Sequence, residues 1–99
     1  MKITQYSLCE AYDQHLVILT NTLFNDVESI LVAPIQSQTE RLLIKGLQIP
    51  VLIDGTNYYV DLLDIATISK KNIRPVANSY LAEYRTAIKA GLDLLIDGF

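Results

Sequence analysis

Residues 49–68 read IPVLIDGTNYYVDLLDIATI. Asp54-Gly55 lies between two runs, Pro50–Ile53 and Asn57–Leu62, that carry several β-branched and aromatic residues. Such residues fit a pleated, half-buried surface. Aspartate followed by glycine supplies the positive φ that a two-residue hairpin turn requires. The stretch therefore predicts a hairpin, and Ile65–Ile68 (IATI) predicts a short strand after it.

Outward from this hairpin the pattern remains one of short strands. Ile30–Ile35 (ILVAPI) predicts a strand, with Pro34 at its end or on a sheet edge because proline cannot donate to a ladder. His15–Thr20 (HLVILT) predicts a buried strand, AYDQ before it a turn, and Met1–Leu8 a first strand with Ile3, Tyr6 and Leu8 apolar. Ser37–Gly46 is ambiguous, a loop with a helical turn. Lys70–Asn78 predicts a connector, with Pro75 barring regular structure.

The helix predicted is Tyr80–Asp97, capped by Asn78 or Ser79. Leu81, Tyr84, Ile88, Leu92 and Leu95 form its apolar stripe. It would be about 27 Å long. Gly91 inside it costs roughly 1 kcal/mol against Ala, which a close approach by another backbone would explain. The plan is α+β, mainly antiparallel β with one C-terminal helix.

The 99 residues suit one domain spanning 1–99. Burial on folding is roughly two thirds of the unfolded surface at this size, so the core is small and a dimer would help. Apolar residues at 51% against 19% charged mark a globular chain rather than a disordered one. The longest apolar runs, such as Leu16–Leu19, are four residues, and Met1-Lys2 leads into no signal-peptide core. A cytoplasmic protein without a membrane span is expected. Cys9 is the single cysteine, so no internal disulfide forms. The net charge of −3, with only Lys70, Lys71 and Arg74 near one another, argues against direct nucleic-acid binding.

Catalytic chemistry leaves little trace. His15 is the only histidine and opens an apolar strand, the usual place of a packing or rim residue. Glu10 beside Cys9 would raise the thiol pKa rather than activate it. One His and one Cys are too few for a metal site of the usual kind, and no phosphate-binding glycine motif occurs. Asp61 and Asp64 read as solvated carboxylates. No enzyme, cofactor or metal is expected. Two features stand out. In NTLFND, Leu23 and Phe24 sit among polar residues, either folded onto the core or exposed as an anchor for a partner. At the C-terminus, LDLLIDGF ends on Phe99, with Gly98 suited to a left-handed helix cap.

Taken in order, these segments resemble the CcdB family of toxins. IPVLIDGTNYYVDLLDIATI resembles the family's hairpin and next strand, HLVILTNTLFND its second strand and loop, and EYRTAIKAGLDLLIDGF its terminal helix. The resemblance implies a homodimer built on an SH3-like small barrel with one C-terminal α-helix. It implies a non-catalytic toxin that binds the DNA gyrase A subunit and traps the gyrase–DNA cleavage complex. A CcdA-like antitoxin would neutralise it, and the pair would repress its own transcription, touching DNA only through the antitoxin complex. By position, the gyrase-binding residues would be Leu23, Phe24, Asp93, Ile96, Asp97, Gly98 and Phe99, with Leu92 and Leu95 at the dimer interface.

The chain departs from the family at three places. Asp97 stands where some members carry Trp, Phe99 where the terminal residue is usually Ile, and Ser69-Lys70-Lys71 where a Pro-Val run is usual. Two other readings stay open. One is a non-toxic CcdB-like interaction protein. The other is an endoribonuclease like the related MazF toxins, for which His15 and Arg74 are the candidates.

Overall fold

The computed structural model describes residues 4–21, 28–38 and 42–98, with the backbone alone for 77–79. Among the described residues seven strands precede one α-helix: β1 (Ser7–Ala11), β2 (Gln14–Ile18), β3 (Ser29–Ser37), β4 (Gln48–Ile53), β5 (Thr56–Asp61), β6 (Ala66–Ser69), β7 (Arg74–Tyr80) and α1 (Arg85–Asp97). All strand pairs are antiparallel, in the order β4-β5-β3-β2-β1-β7, and β6 pairs with β3.

The expected hairpin is β4–β5, closed by Asp54 and Gly55 at φ 50° and 80° with Ile53 opposite Thr56. AYDQ makes a second tight turn. Tyr12 and Asp13 both take positive φ, and Ala11 faces Gln14. The first strand starts later than expected. Tyr6 has φ 68°, and the Ser7 amide and hydroxyl both donate to the Thr4 carbonyl, so extended backbone begins only at Ser7.

Pro34 lies inside β3 rather than at its end, opposite Leu16 of β2. On the other side of β3 the ladder passes from β6, last paired at Val32–Ala66, to β5, first paired at Ile35–Val60. Pro34 falls in that gap, where no donor is needed.

The expected closed barrel is not formed. β4 and β7 end the strand order and do not pair with each other, leaving an open sheet. Each of these outer strands carries a proline, Pro50 and Pro75, which weakens an edge as a template for further pairing. The expected connector at 70–78 is a single 3-10 turn, Lys70–Asn72, followed by β7. Pro75 is tolerated there because β7 is an edge strand.

The helix also starts later than expected. Tyr80 pairs with Ser7, and the Leu81 amide donates to the Tyr6 carbonyl at 2.8 Å, so β1 takes the backbone that a longer helix would use. The backbone of Asn78 and Ser79 belongs to β7, and the N-cap positions of the turn and the helix that follow are Leu81 and Tyr84. A 3-10 turn, Ala82–Tyr84, leads into α1, whose 13 residues span about 20 Å.

Strand alternation divides the buried side chains between two faces. Leu8, Val17, Leu19, Val60 and Leu62 join Ile88 of α1 in the main core. Cys9, Leu16, Ile18, Ile30 and Val32 form a second cluster with Ile73. Within HLVILT the run Leu16–Leu19 is apolar throughout because both of its faces are buried. Tyr84 fixes the start of α1, its hydroxyl accepting the Leu52 amide at 2.9 Å.

Candidate functional site

Two surface constellations emerge, and the first is the end of α1. Ile88 and Gly91 turn inward, and Leu92 packs half-buried against the main core. Gly91 does have the close neighbour its sequence position suggests. A Cβ there would lie 2.5 Å from the Gly46 carbonyl oxygen and collide with Leu62 Cδ1.

Past Leu92 the helix outruns the core. Asp93, Leu95, Ile96, Asp97 and Gly98 are all exposed, Ile96 by 78%. Residues three and four apart share a helix face, so Asp93, Ile96 and Asp97 form one presented patch. Gly98 ends α1 at φ 80°, its amide donating to the Leu94 carbonyl at 2.8 Å. Leu23, Phe24 and Phe99 lie outside the described residues.

The patch is poorly designed for helix stability. Carboxylates near a helix C-terminus oppose the macrodipole, and like charges four apart repel. No basic residue occupies the last turn. The arrangement suits a cationic partner surface with an apolar spot for Ile96.

The second constellation was only half legible in the sequence. Glu10 faces His15 on β2 and Arg74 on β7. One Glu10 oxygen lies 3.1 Å from His15 Nε2, and the other accepts Arg74 Nη2 at 3.1 Å. Beside it, Asn72 Nδ2 donates to the Tyr12 hydroxyl at 2.9 Å. His15 also lines a cleft of about 360 Å³ with Asp13, Asp54 and Tyr58, between the tips of the two hairpins. His15 is thus a rim residue, solvent-exposed and paired. A two-residue turn at Tyr12-Asp13 is enough to set Glu10 opposite His15. The approach of Arg74 depends on the distant β1–β7 register, for which the sequence has no local signal.

Cys9 is fully buried, and burial pushes its thiol up to about 11. The direction is the expected one, but the cause is desolvation rather than Glu10. The protonated thiol is no nucleophile at neutral pH. Asp61 is not merely solvated, since its Oδ1 accepts the Leu63 amide at 3.1 Å and caps the turn Leu62–Asp64. Among the described residues no group of three His, Cys, Asp or Glu side chains could hold a metal ion, and no helix is long and apolar enough to cross a membrane.

No family model matches the chain, and no curated protein does. The fold has solved counterparts. One, described as the crystal structure of an Mtb toxin, superposes with a TM-score of 0.70 at 18% identity, covering 86% of this chain and 94% of that one. At that identity the likeness concerns the fold.

Proposed function

We propose that this chain is the toxin of a toxin–antitoxin pair, acting without catalysis by binding the DNA gyrase A subunit and trapping the cleavage complex. The observation that carries the reading is the presented end of α1. Asp93, Ile96 and Asp97 share an exposed face, and the two carboxylates sit where a helix gains nothing from them. The likeness in fold to an Mtb toxin supports it, as does the sequence resemblance to the CcdB family. A carboxylate at position 97 suits an arginine on the partner, where charge-assisted bidentate pairing is strong. A homodimer and a CcdA-like antitoxin belong to the same proposal.

The test is gyrase supercoiling and DNA cleavage with purified protein. Stabilised cleavage complex, relieved by the antitoxin, is the expected result. Unchanged supercoiling at high protein concentration sinks the reading for that gyrase.

One observation favours a second reading, a MazF-like endoribonuclease. Glu10 brings His15 and Arg74 to one exposed spot. An imidazole for proton transfer and a guanidinium for the phosphate are the groups RNA cleavage would need. RNA cleavage abolished by His15→Ala and by Arg74→Ala is its expected signature. RNA left intact by the unaltered protein removes it.

A further inference from the structure

An apolar groove of about 580 Å³ runs between α1 and the loop that leads into β4. Sites for small molecules run from roughly 300 to 1,000 Å³ and are mostly apolar, with a few placed polar groups. Leu43 and Pro50 line the loop side, and Ala87, Ala90 and Leu94 the helix side. The last three recur at steps of three and four, so they share one face of α1. Ala87 and Ala90 are small and exposed, which leaves the space open. The groove is built into the fold, because the Gly46 carbonyl reaches α1 at Gly91 and brings the loop against the helix.

A held donor distinguishes this groove from a plain apolar face. Gln48 lines it and is 6% exposed, the one buried polar or charged side chain among the described residues. Its backbone amide donates to the Ile44 carbonyl at 2.9 Å, and its Oε1 accepts the Ile44 amide at 2.9 Å. That second bond fixes which way the carboxamide lies, since an N–H meets only the oxygen. Nε2 is thereby turned away from Ile44, and among the described residues it donates to nothing. Every buried side-chain nitrogen or oxygen sealed from solvent there has a partner. Nε2 is therefore open to a surface, and the surface Gln48 lines is the groove. A donor on an apolar wall costs free energy until an acceptor meets it. Lys45, exposed at the rim, is the other polar side chain lining the groove, and it too only donates.

We propose that this groove binds a small aliphatic molecule carrying one neutral carbonyl, of the ester, ketone or amide type. The aliphatic body lies along Ala87, Ala90 and Leu94, and the carbonyl oxygen accepts from Gln48 Nε2. The donor is already fixed in place by Ile44, so little freedom is lost on binding. Charge selects the neutral head. Lys45 is the one charged residue lining the groove, and Asp97 lies one turn beyond Leu94 on the same helix face. With that acid beside the lysine, and a formal charge of −3 on the chain, a carboxylate head gains little. An amine head would set donor against donor at Gln48. The proposal does not rest on the gyrase reading, which uses the exposed end of α1.

The probes are methyl hexanoate, hexanoate and hexylamine, which share an aliphatic chain and differ in the head group. In a nuclear magnetic resonance titration of isotope-labelled protein, methyl hexanoate should move the side-chain amide signals of Gln48, identified by their loss in Gln48→Glu. It should bind at least about tenfold more tightly than hexylamine, and more tightly than hexanoate. Gln48→Glu keeps an oxygen for the Ile44 amide but replaces the open donor with an acceptor. At mildly alkaline pH, where the new carboxyl is ionised, it should weaken the ester at least about tenfold. Ala90→Trp, at an exposed position, fills the groove and should abolish binding while circular dichroism stays unchanged. Unmoved Gln48 signals at saturating ester, hexylamine binding as tightly as the ester, or full binding by the Ala90→Trp protein overturns the proposal. Tighter binding of hexanoate than of the ester overturns it too, because the head is then a charge contact with Lys45. So does sedimentation in which Ala90→Trp splits a dimer, because the occupant is then a second copy. A result negative for gyrase leaves this outcome untouched, since no step uses gyrase.

Discussion

The inward and outward sides of α1 share one backbone but are built to different rules. Inward, Ile88 has no exposure, and Gly91 lets the Gly46 carbonyl approach the helix. Outward, past Leu92, Ile96 is 78% exposed, and Asp93 and Asp97 lie within the last two turns with no base in the final one. Burial rules the first side, even at Gly91 where it overrides helix propensity, and the dipole is disregarded on the second. The departure at Gly91 serves internal packing, whereas the exposed carboxylates of the presented end bury nothing.

The comparison breaks most visibly at Ile88. Ile88→Ala leaves a cavity between α1 and the sheet, and about 2–5 kcal/mol of stability should be lost. Urea unfolding followed by circular dichroism measures it. Gly91→Ala should come next. An added methyl favours the helix by roughly 1 kcal/mol, but here it meets a backbone oxygen and Leu62. Overpacking of about 1–3 kcal/mol should outweigh the propensity gain. A stabilised Gly91→Ala protein would mean that the loop and the helix do not touch. Gly98→Ala is smaller again. A Cβ at Gly98 meets nothing within 4 Å, so only the positive φ is penalised, at about 1 kcal/mol.

The legible parts of this fold were local. Asp54-Gly55 names its own hairpin because the turn's φ requirement is met by the residues that make it. The Gly91 contact was legible as an anomaly, a poor helix former in mid-helix, although its partner Gly46 was not. What sequence reasoning missed depends on distant partners. Pro75 is a strand breaker unless its strand is an edge, and only the sheet order shows that β7 is one. Tyr80 and Leu81 fit a helix until β1 takes their hydrogen bonds. Closure into a barrel is a property of the whole sheet, and no segment records it. The candidate site divides the same way. Exposure of Ile96 and Asp97 follows from helical periodicity, whereas the meeting of His15 and Arg74 needs a register set across three strands.

The smallest effect on stability tests the outward side most sharply. Ile96→Ala and Asp97→Trp should each shift stability by no more than about 0.5 kcal/mol, because neither residue is buried. Removing the charge at Asp97 should help slightly, since a carboxylate at that end opposes the helix dipole. Binding to the gyrase A subunit should behave differently. Ile96→Ala deletes the apolar spot and should weaken it. Asp97→Trp exchanges the carboxylate proposed to meet a partner arginine for a larger aromatic surface on which the same guanidinium stacks, and should strengthen it. Calorimetric titration of the two variants against the isolated A subunit separates the outcomes. Two proteins of unchanged stability and oppositely changed affinity would place the contact on this face. Unchanged affinity in both would show that the outward side of α1 is free of its rules for some other partner.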